Sequence, residues 1–297
     1  MPEPLAAVAI LIAAPHRPAL TPEVLKAAAA VLPGAAEPRL LAPGIAAEIA
    51  FAGGVTADAV RRALAPAPLD VAVLPFANRR KRLLLADMDS TMIGQECIDE
   101  LADYAGVKAH VAAITERAMR GEIAFEPALR ERVALLRGMP VAVVEAVIAE
   151  RIRLTAGGPE LVRTMRANGA TAVLVSGGFT LFTGPIGRRI GFDADRANTL
   201  LVEDDRFTGM VAEPILGRQA KLDALMELRT ALELNHGDTL AVGDGANDLA
   251  MLGEAGLGVA FHAKPQVASA AQISIEHGDL TALLYLQGYA QDEFVAG

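Results

Sequence analysis

Two short acidic runs, separated by more than half of the chain, constrain the fold more than any other feature. Asp87-Met88-Asp89-Ser90-Thr91 follows the apolar stretch Leu83-Leu84-Leu85-Ala86, and Gly243-Asp244-Gly245-Ala246-Asn247-Asp248 follows Thr239-Leu240-Ala241-Val242. Each apolar stretch has the length of a buried strand, and a helical pattern comes after each acidic run. Open parallel sheets bind ligands outside the carboxyl ends of their strands. Asp87, Asp89, Asp244 and Asp248 gathered there would repel one another unless a cation sat among them. Mg²⁺ is the natural candidate, because it takes oxygen ligands and is held by one or two carboxylates together with phosphate.

Asp87 and Asp89 suit phosphoryl transfer. Residues two apart in extended backbone face the same side. Asp87 is then the nucleophile, forming an aspartyl-phosphate. Asp89 is placed to protonate the leaving oxygen and later to deprotonate water. A loop with two helix-capping aspartates is the alternative for this run taken alone. Between the acidic runs lies Ser176-Gly177-Gly178-Phe179, after the strand-like Ala172-Val173-Leu174-Val175. A small hydroxyl and backbone N–H groups at a strand-to-helix turn can cradle phosphate, although the same residues also mark an ordinary turn.

In this order, the motifs resemble those of haloacid dehalogenase (HAD) superfamily phosphatases and, within them, phosphoserine phosphatases. The resemblance runs from about Leu83 to about Leu286. It implies phosphate binding by Ser176 and Gly177. It also implies that Lys221, in Gly217-Arg218-Gln219-Ala220-Lys221, pairs with phosphoryl oxygens and offsets transition-state charge. Asp244 is similar to the family's side-chain metal ligand, alongside Asp87 and the backbone carbonyl of Asp89. Asp248 is then an outer carboxylate, and Asn247 falls at a substrate-contacting position. Met88 stands where many members have phenylalanine.

The resemblance extends to substrate choice. Glu96, in Gly94-Gln95-Glu96-Cys97, falls where these phosphatases take the substrate ammonium group, and Arg132 where they take its carboxylate. The planar arginine fork matches a carboxylate with two hydrogen bonds. Arg130 is the nearest rival to Arg132. Phe125 is expected to pack over the substrate stem or in the core. The implied reaction is Mg²⁺-dependent hydrolysis of O-phospho-L-serine, the last step of serine synthesis. The alternatives are a sugar phosphatase, transfer of phosphate to homoserine, and a serine-sensing regulatory protein. A receiver domain fails on length and on the role of Asp89.

Composition narrows the partners. The formal charge of −9 disfavours nucleic acid and anionic lipid, so a phosphate site must be made positive locally. The single cysteine, Cys97, fits a reducing cytoplasm. No stretch is long enough to span a bilayer, and the apolar start carries Glu3 and no basic residue, unlike a secretion signal. His16, His110, His236, His262 and His277 show no metal-binding spacing. The basic run Arg79-Arg80-Lys81-Arg82 is expected to be a solvated linker.

Two units are expected. Residues 1–77 read as β-α-β-β-α-β, the order of a ferredoxin-like α+β domain. The family resemblance suggests a small amino-acid-binding regulatory unit of the ACT type there. A packing or dimerisation module forming a homodimer is the alternative. Residues 78–297 read as an α/β doubly wound parallel sheet, a HAD-type Rossmannoid core, with a helical cap inserted at about 96–156. Asp204-Asp205 with Phe207–Val211 is expected to form a hairpin beside the sheet.

Overall fold

The structure, a computed structural model, describes residues 5–119 and 122–296. Glu3, part of the secretion-signal argument, lies outside the described residues. Among the described residues no helix is long and apolar enough to cross a membrane.

The N-terminal part contains β1 (Ala7–Ala13), α1 (Pro22–Ala30), β2 (Arg39–Ala42), β3 (Ala46–Phe51), α2 (Ala57–Leu64) and β4 (Leu69–Pro75). Thr21 and Thr56 start the two helices, each side chain accepting a backbone N–H three residues on. The strands form an antiparallel sheet in the order β2-β3-β1-β4. β1 is continuously apolar because both of its faces are buried. Ala9 and Leu11 pack with residues of α1 and α2. Val8, Ile10 and Ile12, alternating with them, enter the same core as the C-terminal part of the chain.

That part begins with β5 (Leu83–Ala86). Four helices follow: α3 (Cys97–Tyr104), α4 (Lys108–Met119), α5 (Phe125–Ala134) and α6 (Val143–Glu150). Then come α7 (Gly158–Ala167), β6 (Thr171–Phe179), α8 (Thr180–Ile190), β7 (Ala194–Asn198), β8 (Leu200–Glu203), β9 (Arg206–Val211) and α9 (Arg218–Ala231). The chain ends with β10 (Thr239–Gly243), α10 (Leu249–Glu254), β11 (Leu257–Phe261), α11 (Pro265–Ala270), β12 (Ile273–Ile275) and α12 (Ala282–Leu286). The parallel sheet has the order β12-β11-β10-β5-β6-β7. Leu84, Leu174 and Val242 face the core shared with α7, α8 and α12. Leu83, Leu85, Val173 and Ala241 face α9, α10 and α11. Helices on both faces explain why these strands are apolar throughout. β10 and β5 are adjacent, and this adjacency brings the two acidic runs together.

The helices α3–α6 leave and rejoin the core through one narrow neck. Ile93 bridges Leu154, Gly94 N–H donates to the Arg153 carbonyl at 3.1 Å, and Thr155 N–H donates to the Met92 carbonyl at 3.0 Å. β8 and β9 form a separate two-stranded sheet joined at Asp204 and Asp205, both at positive φ, as a tight hairpin turn requires. This hairpin is bonded to the cap: Gly138 N–H to the Phe207 carbonyl and Val141 N–H to the Asp205 carbonyl. The expected hairpin is therefore present, starting directly after the edge strand β7, and it also binds the cap.

The basic run also differs from expectation. Arg79 is 11% exposed and pairs with the buried Glu48 of β3 at 2.7 Å. Arg80 lies over the Tyr289 ring, and Lys81 donates to the Gly237 carbonyl. A solvated linker was expected, but acceptors from three distant segments converge on these side chains. A second tie is the buried carboxylate of Asp70 in β4, which accepts backbone N–H bonds from Glu276 (2.8 Å), His277 (3.1 Å) and Gly278 (2.7 Å). Asp70→Ala would leave those donors unpaired. It is expected to lower unfolding stability by about 3 kcal/mol, read as a lower urea midpoint, whereas exposed Arg82→Ala should leave the midpoint unchanged.

Candidate active site

Asp87 ends the extension of β5, its N–H bonded to the Val242 carbonyl of β10. The chain then makes one wide turn over Met88–Met92, closed by Ile93 N–H to the Met88 carbonyl, with Ser90 at φ 55°. A non-glycine residue in this region is uncommon and stores strain. The turn directs Asp87 and Asp89 to one cavity while Met88 is buried in the core.

Beneath that cavity Lys221, from the first turns of α9, is 2% exposed. Its Nζ lies 2.6 Å from Asp87 Oδ1 and 2.6 Å from Asp248 Oδ1. Burial pulls the ammonium down, but the two carboxylates outweigh it and hold it above its ordinary value. Burial likewise pushes the Asp87 carboxyl well above its usual range, with Lys221 opposing and Asp248 reinforcing. Asp248 uses its other oxygen to accept Gly245 N–H at 3.0 Å. Asp244 joins them: one oxygen each of Asp87, Asp244 and Asp248 lie within 4.8 Å of one another. Thr91 Oγ1 donates to Asp244 Oδ1 at 3.3 Å. Three carboxylates against one ammonium leave an all-oxygen site with excess negative charge, which fits a hard divalent cation.

Asp89 is separately perturbed. Burial first and the Glu96 charge second raise its carboxyl from 3.8 to about 7, against the Cys97 hydrogen bonds. Cys97 N–H donates to Asp89 Oδ1 at 3.1 Å, and its thiol is pushed up by burial and by Asp89. Asp244 is raised to about 6, by burial, then Asp248 and Glu96.

Opposite the aspartates, β6 continues past Val175 through an irregular pairing with β7 that resumes at Phe179. The expected turn at Ser176-Gly177-Gly178 is therefore a bulged strand end. Ser176 Oγ accepts Gly178 N–H at 2.9 Å. A Cβ on Gly178 would stand 2.9 Å from Asp89 Oδ2, so only glycine allows this approach.

The cap supplies the remaining wall. The cavity, of about 370 Å³, is lined by Asp87, Asp89, Glu96, Phe125, Arg132, Ser176, Gly177, Asp244 and Asn247. Lys221 and Asp248 lie under its floor. Glu96 begins α3 and accepts from Ser90 Oγ at 2.7 Å. Arg132 is half-buried, with Nε on the Ala128 carbonyl and Nη1 3.5 Å from Thr115 Oγ1. Burial lowers its pKa, with Asp99 and Glu96 opposing. Arg130 points elsewhere and pairs with Glu213. Phe125 is 40% exposed, packing against Gly177 and Gly217.

Sequence reasoning passed over Thr91, Thr115 and Lys264. Thr91 stands within the first acidic run and could have been read from it. Lys264 lines the cavity and follows β11, the neighbour of β10, so the strand-end rule could have found it. Thr115 carries no local signal.

The haloacid dehalogenase-like hydrolase family model matches residues 84–253. The chain belongs to this family. It is 48% identical over 210 residues to a phosphoserine phosphatase of Polaromonas sp., covering 69% of this chain and 89% of that protein. It is 42% identical over 260 residues to one of Streptomyces coelicolor, covering 86% of this chain and 63% of the relative. A probable phosphoserine phosphatase from Vibrio cholerae superposes with a TM-score of 0.78 at 33% identity, over 97% of this chain and 88% of the other.

The raised Asp89 carboxyl carries a stability consequence. Between pH 4 and pH 7 the unfolded chain has lost this proton and the folded chain retains it, so folding must take one up, and stability falls as pH rises. In metal-free protein, Asp89→Asn is expected to raise the melting temperature by several degrees at pH 8. The advantage should shrink toward pH 4, as scanning calorimetry across pH would show.

Proposed function

We propose that this enzyme hydrolyses O-phospho-L-serine to L-serine and phosphate through a phospho-aspartate on Asp87. The observation that carries this reading is that Glu96 and Arg132, two cap residues of opposite charge, line the same cavity as the Asp87–Asp89 pair. An α-amino acid presents an ammonium and a carboxylate, and these two side chains complement both. The names of the relatives point the same way.

Asp87 attacks phosphorus and the bond to the serine oxygen breaks, with Asp89 giving that oxygen its proton. A carboxyl that titrates at about 7 can donate and then accept near neutral pH. Asp89 next takes a proton from water, whose oxygen attacks phosphorus. The bond to Asp87 breaks, releasing phosphate. Lys221 holds the unphosphorylated Asp87 in place, and Ser176 and Gly177 are assigned the binding of the phosphoryl oxygens. Asn247, at the rim, is assigned a substrate contact.

Mg²⁺ is the proposed metal, held by Asp87, Asp244 and the Asp89 carbonyl; when bound it neutralises phosphoryl charge. Asp248 fits the outer position because both its oxygens are already engaged by Lys221 and Gly245.

Residues 1–77 are proposed to be a ferredoxin-like unit, and residues 78–297 the phosphatase unit with its cap at 96–156. The alternation of elements and the sheet order β2-β3-β1-β4 support the first. A cytoplasmic location fits the lone Cys97.

Phosphate release from phosphoserine is expected with Mg²⁺, to be lost with EDTA, and to fall below detection in Asp87→Asn. Release from sugar phosphates in preference to phosphoserine would overturn the substrate assignment. Arg132→Ala should reduce kcat/KM for phosphoserine roughly hundredfold. Arg130→Ala should stay within about twofold, since its exposed ion pair contributes little.

A further inference from the structure

Asn198, the last residue of β7, is 2% exposed and lies outside the cavity, and its side chain bonds to backbone groups beside it. Its Nδ2 donates to the Gly177 carbonyl at 2.9 Å and to the Leu216 carbonyl at 3.1 Å, while its Oδ1 accepts Leu216 N–H at 2.7 Å. Two carbonyls on one side and an N–H on the other fix which amide atom is which. Gly177 belongs to the strand end where phosphate is assigned. Leu216 is two residues before α9, which brings Lys221 to Asp87. Among the described residues no backbone hydrogen bond joins the two segments, and this buried amide ties them.

The same pair of segments receives the cap. A Cβ at Gly177 would lie 3.5 Å from Phe125 Cζ, and one at Gly217 would lie 3.4 Å from Phe125 Cδ1. The phenyl ring therefore rests on both glycine backbones at once, and the spacing of its seat is the spacing that Asn198 sets.

We infer that Asn198 is a positioning residue for phosphate binding: it fixes the Ser176–Gly177 strand end relative to the Lys221 helix, and with it the seat of Phe125. The inference rests on the phosphatase reading. Asn198 touches no reacting atom and acts through backbone alone.

Asn198→Asp is nearly isosteric. It keeps an acceptor for Leu216 N–H but turns a carboxylate oxygen toward the two carbonyls. Asn198→Ser is too short to reach either segment. At saturating Mg²⁺, the inhibition constant of inorganic phosphate is expected to rise about tenfold in both, as the loss of two such bonds implies. The Mg²⁺ concentration giving half-maximal activity should stay within about twofold, because the metal residues lie on other segments. A purely structural role would shift both constants together. Unchanged phosphate inhibition, parallel loss of both constants, or failure of both variants to fold would each overturn the proposal. Should the wild type leave phosphoserine intact, the functional reading falls alone. The rise in melting temperature on adding phosphate, compared between wild type and variants, then tests Asn198 independently of turnover.

Discussion

A single buried ammonium shared by two carboxylates organises the catalytic half of this protein. Lys221 sits 2.6 Å from both Asp87 and Asp248, and those aspartates come from different parallel strands' ends while the lysine comes from a helix packed below. Charges this deep are tolerated only when paired and bonded. The pairing is therefore also a geometric condition: β5, β10 and α9 must be in register before any of the three groups can be buried. The chemistry of the site and the packing of the sheet are the same constraint seen from two sides.

Around that centre, the carboxylates are differentiated by surroundings and not by type. Asp248 has both oxygens engaged and no route to the cavity. Asp244 is half-open, steadied by Thr91. Asp87 lies on the cavity floor with Met88 N–H bonded to Oδ1 at 2.8 Å. At Asp89, burial and the nearby Glu96 charge favour the protonated form and outweigh the hydrogen bonds from Cys97. Identical side chains thereby acquire different surroundings, the usual way that one residue type serves different steps.

Much of this was legible in the sequence because it is locally encoded. An aspartate after an apolar run at the end of a parallel strand has few places to go, so the meeting of Asp87 with Asp244 followed from the alternation of strands and helices. The bulged end of β6 was not legible: Ser-Gly-Gly reads as a turn, and only the closeness of Asp89 to Gly178 shows why the strand continues. The role of Arg79 was hidden too. Four consecutive basic residues suggest solvent, and nothing near them in the chain announces Glu48, Gly237 or Tyr289. Asp70 and Asn198 escaped for the same reason, since their partners are backbone groups with no sequence signature. The hairpin was legible, but its bonds to the cap were not, because they depend on how the neck aims four helices.

The N-terminal sheet has no free face. One side is covered by α1 and α2, and the other, through Val8, Ile10 and Ile12, is continuous with the core that includes α12. A regulatory module that swings on a hinge normally meets its neighbour through a modest, partly polar surface. Here, detaching the sheet would strip apolar strand from both parts, break the Arg79–Glu48 pair and leave the Asp70 carboxylate without its backbone donors. A chain shortened to the phosphatase half would inherit a greasy scar where β1 had been, and its difficulty would be solubility before it was catalysis.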